Sequence, residues 1–274
     1  MARVLALSSH VAYGTVGLAV TVPALQALGH ETIVLPTIIL SNHPGYARFS
    51  GEQVPPATLA QIIDSLAANG WLAGVDAIIT GYLPSQAHVD LAGKLVARVR
   101  AANPSAYFVC DPIFGDEPDG LYLDAPAATA IREHLLPQCN LATPNRFELS
   151  WLVDAPVASV AEAVTAARAL AVPAVLATSV PAGAGDLASL LVWGEAASAC
   201  QVPRRGHAPH GTGDLLAALL LGHLLNRRDP TSALGRAAAA AADSIEASGE
   251  QDELSLAGAG SAWAHAEPLP TAAI

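Results

Sequence analysis

The stretch RVLALSSHVAYGTVGLAVTVPALQALGHETIVLPTIIL, residues Arg3 to Leu40, decides the fold class. RVLALS (Arg3 to Ser8) is a short apolar run that stops at a polar cluster, Ser8, Ser9 and His10. TVPALQALG, ending at Gly29, carries a helical pattern with glycine as its C-terminal stop, and TIVLPTIIL (Thr32 to Leu40) is rich in β-branched residues. Strand, helix and strand in immediate succession make a βαβ unit.

The alternation continues down the chain. DAIIT (Asp76 to Thr80), YFVCD (Tyr107 to Asp111) and AVLATS (Ala174 to Ser179) read as further strands. Between them, PATLAQIIDSLAANG ends at Gly70 and QAHVDLAGKLVARVRAANP stops before Pro104, both with helical spacing. Repeated βαβ units predict a mostly parallel sheet buried between two helical layers, a three-layer α/β/α sandwich. SLLVW (Ser189 to Trp193) and ACQVP (Ala199 to Pro203), joined by a turn at Gly194, predict an antiparallel edge. The alanine run from Ala237 to Ala242 predicts a closely packed helix. No linker, repeat or low-complexity tract divides the chain, so residues 1–274 read as a single domain with a loose tail after about 265.

Composition narrows the function classes. The 274 residues are 52% hydrophobic, ample for a large core, and the net charge of −11 leaves no basic surface for a phosphate backbone. Nucleic acid is not an expected partner. The longest apolar stretch, Leu215 to Leu225, falls short of the roughly 18 residues of a membrane span, so no membrane partner is expected either. Cys110, Cys139 and Cys200 are odd in number and widely spaced, which fits a reducing compartment; the expected location is the cytoplasm.

Ligands of open α/β sheets bind beyond the carboxyl ends of the strands. Those ends here carry SSH (Ser8, Ser9, His10), SNH (Ser41, Asn42, His43), TGY (Thr80, Gly81, Tyr82), CDP (Cys110, Asp111, Pro112), TPNRFE (Thr143 to Glu148) and TSV (Thr178 to Val180). Each alone is an ordinary helix cap or turn; together they line one edge of a sheet.

HGTGDLLAALLL, His210 to Leu221, adds a small-residue loop feeding an apolar helix. Gly211, Thr212 and Gly213 allow a tight turn and close approach to a ligand, and the helix start presents free N–H groups to an anion. Asp214 either caps that helix or takes the proton from a substrate hydroxyl while the N–H groups hold phosphoryl oxygens. Lys94 is the only lysine and lies in an amphipathic helix, which closes the P-loop option; G-x-G-x-x-G, G-x-S-x-G and H-E-x-x-H are absent.

SSHVAYGTVG, SNHPGY, TGYLPS, CDPIFGD, TPNRFEL and GTGDLLAALLL, in this order and spacing, resemble the pyridoxal kinases of the ribokinase-like superfamily, from about Arg3 to Leu225. The resemblance implies a ribokinase-like fold, ATP-dependent phosphorylation of the 5′-hydroxyl of pyridoxal, pyridoxine or pyridoxamine in vitamin B6 salvage, Mg²⁺ and a homodimer. It leaves a monovalent cation such as K⁺ open. It implies Asp214 as general base, with Gly211, Thr212 and Gly213 as anion hole, and Ser9, Val16, His43 and Tyr82 around the pyridine ring. Asp111 would lie near the triphosphate and metal, Asn145 and Glu148 would form a Mg²⁺ motif, Thr178 and Ser179 would contact the nucleotide, and Gly115 to Leu123 would be a flap. Leu18 and Pro44 depart from the family's usual polar residues and bear on the choice among vitamers; Leu121 stands where some relatives carry a thiol.

Rival readings are a hydroxymethylpyrimidine kinase, a sugar kinase and a non-catalytic pyridoxal-binding relative. The pyrimidine kinases tend to place Cys at the position of Asp214, and the sugar kinases tend to read G-A-G-D; neither habit is seen. His207 and His210 beside the glycine loop, and Arg204 and Arg205 before it, read more simply as surface groups, and Trp151 as a core or edge aromatic.

Overall fold

In the computed structural model, which describes residues 1–183 and 185–274, the opening unit is β1 (Arg3–Val11), α1 (Leu18–Ala27) and β2 (Glu31–Leu40). The chain continues through β3 (Gly51–Gln53), α2 (Pro56–Ala68), β4 (Ala77–Thr80), α3 (Gln86–Ala102) and β5 (Tyr107–Cys110). A small hairpin, β6 (Gly115–Asp116) and β7 (Gly120–Leu121), precedes α4 (Ala125–Ala130), β8 (Leu141–Ala142), α5 (Arg146–Leu152) and α6 (Val160–Ala169). Then follow β9 (Ala174–Pro181), β10 (Asp186–Trp193), β11 (Ala196–Pro203), α7 (Thr212–Leu225), α8 (Pro230–Ser248), α9 (Ala259–His265) and β12 (Thr271–Ala273).

The main sheet has the order β12-β11-β10-β9-β8-β5-β4-β1-β2-β3. Strands β2, β1, β4, β5, β8 and β9 are mutually parallel. The expected antiparallel edge is present as β10 and β11, turning at Gly194. A second antiparallel edge, β3 on β2, escaped the sequence because Gly51–Gln53 is too short and too polar to show a strand pattern.

Period-two alternation sorts β1 between two cores: Val4 and Ala6 face the layer of α1, α7, α8 and α9, while Leu5 and Leu7 face α2, α3 and α4. A third cluster packs α5 and α6 on β9 and β10. Helix α7 is buried from Leu215 to His223, as a helix apolar on every side must be. The alanines of α8 from Ala237 to Ala241 are buried with it.

The loose tail expected after about 265 is corrected: β12 pairs with β11, and the Ile274 N–H donates to the Ala197 carbonyl. Gly235 makes this docking feasible, because a Cβ there would lie 2.7 Å from the Leu269 carbonyl oxygen, whose own N–H donates to the Gly235 carbonyl. From β1 the chain winds to β2 on one side and then crosses to β4 on the other. This reversal opens a crevice at the carboxyl ends of β1 and β4.

Candidate active site

Asp214 enters that crevice from the first turn of α7, beside Ser8, Thr21, Thr80, Gly81 and Asp111, in a cleft with room for about one water. Gly211 is the N-cap of α7 with φ 86°, and a Cβ on it would collide with the Thr15 carbonyl. Gly213 faces open space, and the Thr212 hydroxyl donates to the Pro209 carbonyl at 2.8 Å. No side chain caps the helix, so Asp214 is not spent on its own N–H groups. Burial raises its carboxyl to about 6, against the backbone N–H of Gly17, which favours the charged form.

Asp111 and Glu148 lie close enough to act on one another. Burial first, then the charges of Asp214 and Glu148, raise the Asp111 carboxyl well above its ordinary range; burial raises Glu148 to about 7. None of the ion pairs among the described residues reaches these carboxylates. Asp111, Asp214 and the Thr80 hydroxyl line one cleft, with the Thr143 hydroxyl on Asp111 and Glu148 within electrostatic reach, an oxygen-rich set that suits a hard divalent ion. No ready-made cluster of three metal-ligating side chains occurs among the described residues, so such an ion would draw ligands from water and phosphate as well.

The NRFE segment also has a structural task. Asn145 and Glu148 form a capping box at the start of α5: Asn145 Oδ1 accepts from the Glu148 N–H and Glu148 Oε2 from the Asn145 N–H, both at 2.9 Å. Glu148 Oε1 accepts from the N–H groups of Phe114 (2.9 Å) and Gly115 (3.4 Å), and Asn145 Nδ2 donates to the Gly115 carbonyl at 2.8 Å. Arg146 pairs with Glu117, and a Cβ on Gly115 would collide with the Phe147 ring. All four side chains of the segment therefore seat the β6–β7 hairpin, Arg146 at its turn and the other three at its base. Tyr122, just after β7, is 49% exposed, and desolvation with the charges of Glu148, Asp116, Asp111 and Asp214 raises its phenol pKa. Thr178 and Ser179 sit at a bulge of β9, with Ser179 at φ 58°; the Thr178 N–H donates to the Pro144 carbonyl, bringing this strand end beside Asn145.

On the other side of the crevice, a register shift in β1 puts Ser9 between the paired residues Ser8 and His10. Gly17, at φ 57°, packs so closely on Ser9 that a Cβ would collide with its hydroxyl and carbonyl. Half-buried Val16 lies in the loop after β1. The Tyr82 N–H donates to Ser8 Oγ at 3.1 Å, and its carbonyl accepts from Thr37 Oγ1 at 2.7 Å. His43 stacks on His210 with centroids 4.2 Å apart, and burial, then the His210 charge, lowers its pKa. His210, expected as a surface group, is instead part of this wall, with Tyr46 edge-on at 6.5 Å. The surface reading suits Arg205, paired with Glu246, and His207, exposed beside Asp252. Trp151 is an edge aromatic, with Phe114 beside it and Arg132 across its face.

Leu18, read from the sequence as a change bearing on the choice of vitamer, is 2% exposed and belongs to the α1–α7 core. Its apolar side chain is there to pack. Pro44 occupies the second position of a turn closed by the Tyr46 N–H on the His43 carbonyl, where its missing N–H costs nothing. Thr15, Tyr46 and Glu253 escaped the sequence altogether: the contacts joining them span 207 and 238 residues, and no local pattern announces such a partnership.

Residues 14–257 match the family model described as phosphomethylpyrimidine kinase. A pyridoxal kinase of Corynebacterium diphtheriae is 34% identical over 260 residues, covering 93% of this chain and 92% of that protein. A pyridoxine/pyridoxal/pyridoxamine kinase of Bordetella avium is 37% identical over 228 residues, covering 81% and 77%. Among solved structures, the pyridoxal kinase from Leishmania donovani in complex with ADP and pyridoxamine superposes with a TM-score of 0.94 at 28% identity, covering 100% of both chains. A protein of Bacteroides thetaiotaomicron described as a phosphomethylpyrimidine kinase superposes with a TM-score of 0.92 at 25% identity, covering 100% of this chain and 98% of that one.

Proposed function

Because the chain belongs to the phosphomethylpyrimidine kinase family and, within it, to the pyridoxal kinases, we infer that it transfers the terminal phosphoryl group of ATP to the 5′-hydroxyl of pyridoxal or its vitamers. The observation that carries the reading is the place of Asp214: a half-buried carboxyl in the first turn of α7, lining one cleft with Ser8, Thr80, Gly81 and Asp111 at the reversal point of the sheet, with desolvation raising its pKa to about 6. Ionised near neutrality, it can accept the hydroxyl proton as the oxygen attacks. The amides at Gly211, Thr212 and Gly213 lie where charge develops on the transferring phosphoryl oxygens.

The sheet order supports a division of labour between substrates. Ser9, Val16, His43 and Tyr82 belong to the β1, β2 and β4 ends and would receive the vitamin. Asn145, Glu148, Thr178 and Ser179 belong to the β8 and β9 ends and would receive the nucleotide. Asp111 and Glu148 would hold Mg²⁺, Glu148 through water because its two oxygens already accept three backbone N–H groups. Bound there, the ion would supply positive charge to acids that no lysine or arginine among the described residues pairs with. The β6–β7 hairpin, seated on α5, would shut water out while the two oxygens are aligned.

Purified protein with ATP and Mg²⁺ should consume ATP on addition of pyridoxal, and not on addition of ribose or hydroxymethylpyrimidine; the opposite pattern ends the assignment. Asp214→Asn should lower turnover by about 10²–10⁴ while pyridoxal still binds, and an unchanged rate would make Asp214 a purely structural acid. No helix among the described residues is long and apolar enough to cross a membrane. A cytoplasmic homodimer remains our reading, checked by cell fractionation and sedimentation.

A further inference from the structure

We propose that Glu253 is a positioning residue for the vitamin half of the site, fastening the loops that follow β1 and β2 to the glycine loop that carries Asp214. The proposal rests on the assignment of those loops to the vitamin. Glu253 lies beyond the end of α8, in a segment with no residue among the expected site groups. Its Oε2 accepts from the Thr15 N–H at 2.7 Å and the Thr15 hydroxyl at 3.0 Å; its Oε1 accepts from the Tyr46 phenol at 3.0 Å. Thr15 immediately precedes Val16, and Tyr46 closes the turn that presents His43.

The same segment reaches the third partner through its backbone. The His210 N–H donates to the Asp252 carbonyl at 2.8 Å, and His210 pairs in register with Glu253. The Leu254 N–H donates to Thr15 Oγ1 at 2.9 Å, which closes the circuit. Three loops far apart in sequence thus meet on one side chain and its two neighbours.

The chemistry explains the residue type. A carboxylate is acceptor-only and has lone pairs for several donors at once, which a neutral hydroxyl or a hydrocarbon cannot match. Gly14 is shaped for it: at φ 110°, a Cβ on Gly14 would stand 2.8 Å from Glu253 Oε2. The side-chain hydrogen bonds of Glu253 end on Thr15 and Tyr46, and none reaches the β8 and β9 ends. Losing them frees Val16 and His43 to drift relative to Asp214 and leaves the nucleotide side as it is. Small misplacements of this kind are costly when a hydroxyl must be held for attack.

The test is steady-state kinetics on full-length wild type, Glu253→Ala, Glu253→Gln, Tyr46→Phe and Thr15→Val, varying pyridoxal and ATP separately, with thermal melts alongside. Glu253→Ala should raise the KM for pyridoxal tenfold or more, with the KM for ATP within twofold and turnover at saturation within threefold. Glu253→Gln, which keeps an acceptor for Thr15, should recover most of the loss. Tyr46→Phe and Thr15→Val should each give a smaller rise confined to pyridoxal, and they carry the test if Glu253→Ala does not fold. Unchanged pyridoxal KM in the folded variants overturns the proposal, as does an equal rise for both substrates in step with a lower melting temperature. Wild type that fails to phosphorylate pyridoxal would instead overturn the functional assignment, before any variant is compared.

Discussion

Asp214 and His223 stand in the first and last turns of α7 and are shifted in opposite directions by one cause, burial. For Asp214 the shift to about 6 means that the base is ionised above that pH and lost below it, so kcat/KM for pyridoxal should fall about tenfold per unit as pH drops through 6. A pH profile without an acid limb near 6 would contradict this role. His223 is 4% exposed, its Nε2 lacks a partner, and burial, with the charges of Arg236 and Arg228, lowers its pKa to about 4. The unfolded chain therefore binds a proton on His223 between about 6.5 and 4 that the folded protein refuses, and stability falls as pH falls through that window, by up to about 3 kcal/mol. His223→Leu should be near-neutral at pH 7 and should flatten the loss of urea-midpoint stability between pH 6.5 and 4.

At the scale of elements, the β6–β7 hairpin and α5 act as one unit. The N-x-x-E pattern was legible as a chemical motif, and its residues do gather near Asp111, but nothing in the sequence showed that Asn145, Arg146, Phe147 and Glu148 all seat the hairpin. A capping box is local and readable; the strand end that it meets is 30 residues away. The Arg146–Glu117 pair is partly exposed, so its worth is bounded at about 1 kcal/mol, or roughly fivefold. Arg146→Glu should raise the KM for ATP by no more than that, and the exchange variant Arg146→Glu with Glu117→Arg should recover it; a double-mutant cycle measures the coupling directly. The β-bulges at Ser9 and at Thr178 and Ser179 belong to the same scale. Short apolar runs ending at polar residues located both strands, but a bulge is settled by which partner the strand meets.

Over the whole molecule, the chain's last residues complete the sheet. Removing residues 266–274 would strip β12 from β11 and take away the carbonyl of Ala266 that accepts from Arg236 Nη1 at 2.7 Å. The truncated protein should melt at lower temperature and aggregate on standing, because a bared strand edge pairs with its like; light scattering during a thermal ramp measures both. An unchanged melt would show that the tail merely rests on the sheet. The same long reach governs the vitamin half, where residues near the C-terminus hold loops near the N-terminus.

The alternation of the principal strands and helices, the burial of α7 and the identity of the polar groups at the strand ends were written in short-range features: apolar period, glycine and proline stops, and small residues before Asp214. These act within a few residues of themselves, so a linear reading recovers them. The seating of the hairpin on α5, the docking of β12, the burial of Leu18 in the core and the meeting of Thr15 and Tyr46 on Glu253 were decided only in the folded chain. Each depends on which distant surfaces close-packing brings into contact. A hydrogen bond across more than two hundred residues leaves no periodicity behind.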